Sequence, residues 1–131
     1  MSQENVEIVG HHLEAFLSGD NETALSYNDP EVEFDATTRP EGQVYRGHEG
    51  VAEAMRVWVG AWEDWKFEVQ EIIDAGDRVL LIARESGRGK GSGIEIDQPN
   101  FIVFTLRDGK IVRWQGFVHR DAALEATGLR D

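Results

Sequence analysis

Two histidines stand side by side in the stretch GHHLEAFLSGD, and they are half of the four in the chain. Imidazole gains and loses a proton near neutral pH, so a histidine beside an apolar surface is a candidate acid or base. Val6, Val9, Leu13, Phe16 and Leu17 recur here at helical spacing. On a helix turning about 100° per residue, His12 falls at the edge of that apolar stripe, between Ile8 and Phe16. It is therefore expected to reach a pocket at the seam between helix and sheet, while His11 points away into solvent. The bland alternative for His12 is a partly buried ring bonded to a carbonyl.

Asp35, in VEFDA, ends a short strand beside Phe34. An apolar setting there would raise its pKa and make it a general base. Strand alternation places Asp35 on the face opposite Phe34, so a bulge is needed to turn it inward. Tyr45, in VYRG, is a candidate hydroxyl at the mouth of a pocket. For the pocket wall the candidates are Trp58, Trp62, Trp114 and Phe101, with Gly116 leaving room opposite Phe101. Phe16, Phe34 and Val103 belong to the same expected lining. Plain core packing is the competing assignment for these aromatics, although a buried indole N–H still wants an acceptor. His48, which opens a helix in GHEG, and His119, near the last helix, are expected to serve packing.

Several chemistries lack their residues. The chain has no cysteine, which removes thiolate nucleophiles, disulfides and cysteine zinc sites and fits a reducing cytoplasm. His48-Glu49 has no second histidine one turn on, and no GxSxG occurs. In GRGKGSG the lysine is followed by Gly91 rather than Ser or Thr, so the stretch reads as a hairpin tip and not a phosphate loop. Neither a metal nor a cofactor is expected.

The elements that must position these residues change character halfway along the chain. The first half reads as helices, with Gly19 ending the first and Asp20 capping a short second one, NETALSYN. A strand, EVEFDA, and a loop with Pro40 and Gly42 follow. A third helix is expected from Gly47-His48 to about Asp64, with the stripe Val51, Met55, Trp58 and Trp62. The second half has period two: KFEVQEIIDA, DRVLLIARES, EIDQPNFIVFTLR and KIVRWQGFVHR read as strands. The last pair is joined by Asp108-Gly109, a tight hairpin turn. A final helix, DAALEATG, is capped by Asp121 and stopped by Gly128. This order gives an α+β domain with helices on one face of an antiparallel sheet.

The Asp108-Gly109 turn also sets an expected register, Arg107 opposite Lys110 and Val103 opposite Trp114. One face then holds Phe101, Val103, Val112, Trp114 and Gly116. The other carries Asn100, Ile102, Phe104, Arg113, Gln115 and Phe117, too apolar for open solvent. A homodimer through this outer face is the expectation.

With 131 residues, one domain spanning 1–131 is expected. Acidic residues outnumber basic ones 25 to 13, for a net charge of −12. Such a balance disfavours nucleic acid and anionic membranes as partners. No apolar run is long enough to span a bilayer, the N-terminus does not look like a signal peptide, and the expected location is cytoplasmic.

The segments ENVEIV, AFLSGD, DPEVEFDA, VYRGHEGV, AWEDW, IDAGDRV, GRGKGSG and TLRDGKIVRW, in that order, resemble the SnoaL-like branch of the nuclear-transport-factor-2-like superfamily, which includes ketosteroid isomerases. The resemblance implies a cone: a curved antiparallel sheet wrapped around about three N-terminal helices, with an apolar pocket at its open end. It also implies a small hydrophobic molecule as partner, handled by an isomerase, cyclase or dehydratase, or by a non-catalytic binder. His12 falls where the isomerases place the tyrosine that donates to an enolate. Their base aligns with Phe34 rather than Asp35, and their second acid with Val103, so isomerase activity on steroids is not expected. An epoxide hydrolase would want an arginine between pocket carboxylates, for which Arg84 is the candidate.

Overall fold

The computed structural model describes residues 2–37 and 42–129. Helix α1 (Ser2–Leu17) and helix α2 (Asn21–Ser26) lead into strand β1 (Asn28–Asp35) and a short β2 (Val44–Arg46). Helix α3 (Gly47–Gly60) precedes the long strands β3 (Trp62–Ala75), β4 (Arg78–Gly89) and β5 (Glu95–Arg107), then β6 (Lys110–Phe117) and helix α4 (Arg120–Thr127). The six strands form one curved open sheet in the order β2-β1-β6-β5-β4-β3. All neighbours run antiparallel except β1 and β6, which are parallel. The exception arises because β1 is delivered from the helical layer and not by a hairpin.

Local signals set most boundaries. Gly19, at φ 87°, follows the end of α1, and the Asp20 carboxylate accepts from Thr23 N at 3.1 Å to cap α2. Gly128, at φ 76°, closes α4. That helix begins two residues earlier than a cap at Asp121 would place it, with His119 at the cap position. β1 starts at Asn28, ahead of Pro30, which the sheet tolerates near a strand start. Pro40 lies outside the described residues.

Two expectations fail for stated reasons. The third helix stops at Gly60, so Trp62 opens β3 instead of extending the helical stripe. A spacing of four satisfies both the helical and the strand period, and Trp58 to Trp62 carried no distinction between them. The second failure concerns register. Asp108 and Gly109 both adopt positive φ, 52° and 76°, and Arg107 does pair with Lys110. Leu106 then faces Ile111 but Thr105 faces Arg113, so Val112 is an unpaired bulge residue. Beyond it Trp114 lies opposite Phe104, not Val103, and Phe101 lies opposite Phe117, not Gly116.

One extra residue exchanges the faces of the hairpin. Ile102, Phe104 and Trp114 point inward with Val79, Leu81 and Ala83 of β4, against Val9 and Leu13 of α1 and Val51 and Ala54 of α3. Phe101 and Val103 point outward and pack with Leu80 and Ile82 under Ala123 and Leu124 of α4. The helices therefore occupy both faces of the sheet. The apolar character that suggested a dimer face is partly inner core and partly covered by α4. No helix among the described residues is long and apolar enough to cross a membrane.

Candidate active site

Between α1, α3 and the inner sheet face lies an apolar cavity of about 90 Å³. It shares His12, Phe16, Met55, Val59, Trp65 and Trp114 with a more open cleft of about 490 Å³ between the helices. His12 lines both and is 2 % exposed. Its ring sits edge-on to Trp114, with centroids 4.9 Å apart, and to Phe104 at 5.8 Å.

A small network orients that ring. The Trp114 indole, which can only donate, gives Nε1–H to Asn28 Oδ1 at 2.8 Å and so fixes the Asn28 amide. Asn28 Nδ2 donates to the Ala24 carbonyl at 2.9 Å. His12 Nδ1 lies 3.1 Å from that same carbonyl oxygen, which can only accept. Nδ1 also lies 3.1 Å from Asn28 Nδ2, so it accepts from that amide in one tautomer and donates to the carbonyl in the other; the donating tautomer leaves the lone pair on Nε2. Burial pushes the His12 pKa down to about 4, against a smaller upward pull from the Ala24 carbonyl. The ring is neutral at physiological pH.

Glu85 faces the same cavity and is 1 % exposed. Its Oε2 accepts from Trp58 Nε1 at 2.6 Å and Trp65 Nε1 at 2.8 Å, and its Oε1 from Asn100 Nδ2 at 3.1 Å. These N–H donors stand where water would otherwise solvate the buried carboxyl. Tyr45 lines the cavity with its ring stacked on Phe34, centroids 5.9 Å apart.

Of the expected lining, Phe16, Phe34, Trp58 and Trp114 are in place. Phe101 and Val103 are not, because the bulge sends them under α4. Gly116 stands opposite Ile102, but outside the lining. Trp62 packs edge-on against Trp58, and its buried Nε1 finds no hydrogen-bond acceptor among the described residues. Asp35 stays on the face opposite Phe34, with no bulge to turn it. Its carboxylate accepts from Thr37 N at 3.0 Å, Thr37 Oγ1 at 2.6 Å and Arg113 Nη2 at 2.9 Å. The Thr37 bonds, helped by Arg113, hold its pKa below the ordinary carboxylate value. It is placed as an anchored anion and not as a base in the cavity. Arg84 is exposed and paired with Asp97 at 2.6 Å, away from the cavity. His48 bonds the Asn28 carbonyl at 2.8 Å and is structural, as expected.

Glu85, Asn28, Asn100 and Trp65 were not singled out from sequence. A signal for Glu85 existed: Val79, Leu81, Ala83 and Glu85 alternate along one strand face, so an acid continues an inward apolar series. Asn100 continues Ile102 and Phe104 in the same way. Among the described residues, no group of three or more His, Asp or Glu side chains is arranged to hold a metal ion.

A curved mixed sheet enclosing a cavity against its helices is the nuclear-transport-factor-2-like architecture. The SnoaL-like domain model matches residues 9–114, and the chain belongs to that family. Solved structures of the same fold include Bal32a from a soil-derived mobile gene cassette, 21% identical over 96% of this chain and 97% of that one, at a TM-score of 0.81. TerC, co-crystallised with polyporic acid, is 23% identical over 95% and 98% of the two chains, at 0.75. A protein of ketosteroid isomerase-like fold from Catenulispora acidiphila DSM 44928, solved with trimethylamine, is 18% identical over 95% and 94%, at 0.73. Comparison with curated protein sequences returns no match.

Proposed function

We propose that the protein is an acid/base enzyme needing no cofactor, of the isomerase, cyclase or dehydratase type, acting on a small and largely apolar cyclic molecule. The observation that carries this reading is the convergence of two titratable side chains, His12 and Glu85, on one apolar cavity. An entirely apolar cavity would have favoured a binding module.

In this reading His12 Nε2 takes a proton from the substrate, and the Nδ1–H bond to the Ala24 carbonyl supports the imidazolium that results. A base with a pKa of about 4 suits a proton that is already acidic, such as one on carbon flanked by carbonyl groups. The same nitrogen returns the proton to a second carbon, in isomerisation, or to a departing hydroxyl, in dehydration. Tyr45 supplies a hydroxyl at the cavity wall. The apolar surround excludes water that would otherwise compete for the intermediate. The small organic molecules held by two of the fold neighbours, polyporic acid and trimethylamine, support a cavity for such ligands. They differ too much to select a substrate.

A binding module has one observation in its favour, the carbonyl cap on His12 Nδ1. Hydrogen–deuterium exchange of cyclic carbon acids in D2O, followed by NMR, separates the readings without knowledge of the final product. Accelerated C–H exchange by the wild type and a loss of about 100-fold in His12→Gln are the expected results. Ligand binding with no exchange in either protein assigns a binding role. We also propose that two copies pair through the outer sheet face beside α4.

A further inference from the structure

One residue of the His12 network serves four other elements at once. Asn28, the first residue of β1, is 2 % exposed. Its side chain meets Trp114 of β6, Ala24 of α2 and His12 of α1, and its carbonyl meets His48 at the start of α3. The Trp114 indole fixes which end of the amide is Nδ2, so what faces His12 Nδ1 is a donor. Asn28 Nδ2, His12 Nδ1 and the Ala24 carbonyl oxygen form a nearly equilateral triangle, with sides of 3.1, 3.1 and 2.9 Å. The two N–H bonds of one amide cannot both point straight at atoms so close together. The carbonyl favours a proton on Nδ1, and the amide favours a lone pair there. These opposing bonds bring the two neutral tautomers of the ring towards equal energy, with no heavy atom moved between them.

We propose that Ala24, Asn28 and His12 form a tautomer switch, through which Nε2 meets either an acceptor oxygen or a hydroxyl of a cavity ligand. Nδ1 is taken up by Ala24 and Asn28, and the ring lines both the cavity and the cleft, so Nε2 is the nitrogen left for that ligand. With Nδ1 protonated, Nε2 accepts from a hydroxyl. With Nδ1 accepting from Asn28, Nε2–H donates to a carbonyl oxygen, and Asn28 is the positioning residue that admits this second class. Burial keeps the ring neutral, which both tautomers require. Enolisation turns a carbonyl into a hydroxyl, and a ring able to meet both holds the ligand on either side of that step. The inference rests on the proposed use of this cavity and narrows its ligands to cyclic molecules whose oxygen is a carbonyl in one form and a hydroxyl in the other.

Protonated and unprotonated ring nitrogens differ widely in chemical shift, so long-range proton–nitrogen NMR spectra of the labelled wild-type protein near neutral pH read the tautomer of His12 directly. The probes are cyclohexanone, which can only accept, and phenol, which donates more readily than it accepts. Intermediate shifts are expected for the free protein, a move to Nε2–H with cyclohexanone and a move to Nδ1–H with phenol. A single tautomer that neither bound probe changes overturns the switch and leaves the cavity reading standing. Binding of neither probe overturns both. Asn28→Leu removes the amide at similar volume. It should lock the ring as Nδ1–H and weaken cyclohexanone relative to phenol by about fivefold or more. A switch that survives in folded Asn28→Leu overturns the role of Asn28.

Discussion

His12 remains neutral in the fold until the pH approaches about 4, whereas in the unfolded chain it protonates near 6.5. Between these values the unfolded state binds the extra proton, so stability is complete above pH 6.5 and is lost as the pH falls towards 4. The loss expected from this one residue is about 3 kcal/mol. Urea midpoints at intervals from pH 7.5 to 4 should fall, and His12→Gln should flatten the slope in that window. An unchanged slope in the variant would assign the acid sensitivity to another group. Asp35 works in the same direction, but its depressed pKa places its loss below the ordinary value of 3.8. Asn28→Ala strands the Trp114 indole N–H and is expected to destabilise by roughly 1–3 kcal/mol, read as a lower urea midpoint with unchanged m. His12 was legible because its position on a helical wheel depends only on its neighbours. Asn28 was not, because its partners Trp114 and Ala24 meet it only in the folded chain.

Elements were legible to the extent that their signals are local. The sequence pattern matches the bounds of β5, residues 95–107, and the Asp108-Gly109 turn. The Val112 bulge left no mark in that pattern, since Val is at home on either face of a strand. Yet it decides whether Trp114 faces the cavity. Deleting Val112 would restore unbroken pairing and leave Trp114 opposite Phe104 and facing inward, because Ile111, Arg113 and Trp114 then alternate against Leu106, Thr105 and Phe104. The expected result is that near-ultraviolet circular dichroism and dispersed amide resonances are retained. Loss of both signals in the deletion would show that the hairpin needs the bulge itself and not only the alternation it sets. Asp20→Ala removes the α2 cap and should destabilise slightly, measurable as a small fall in urea midpoint.

For the whole molecule the question is what the outer sheet face offers a second copy. Its apolar centre is under α4, and around it stand ion pairs: Arg84 with Asp97 at 2.6 Å, Arg113 with Asp35 at 2.9 Å and Arg46 with Glu33 at 2.8 Å. Pairing through such a surface should weaken as salt rises from about 0.05 to 0.5 M, seen as a shift towards monomer in sedimentation velocity. A dimer indifferent to salt would place the contact on exposed apolar side chains such as Val57 or Ile94 instead.

The sequence alone determined the α+β class, the order of elements, the tight turns and the family, all of which depend on short-range spacing and turn chemistry. It also placed His12 beside an apolar surface. Only the tertiary structure decided which face each strand of the last hairpin presents, because one unpaired residue inverts that choice. It alone brought Glu85 to the cavity that His12 lines, from positions 73 residues apart (85 − 12). It alone left Asp35 outside, anchored by Thr37 and Arg113. Local pattern specifies what each segment becomes; the chemistry of the site depends on contacts between segments, which spacing along one chain does not encode.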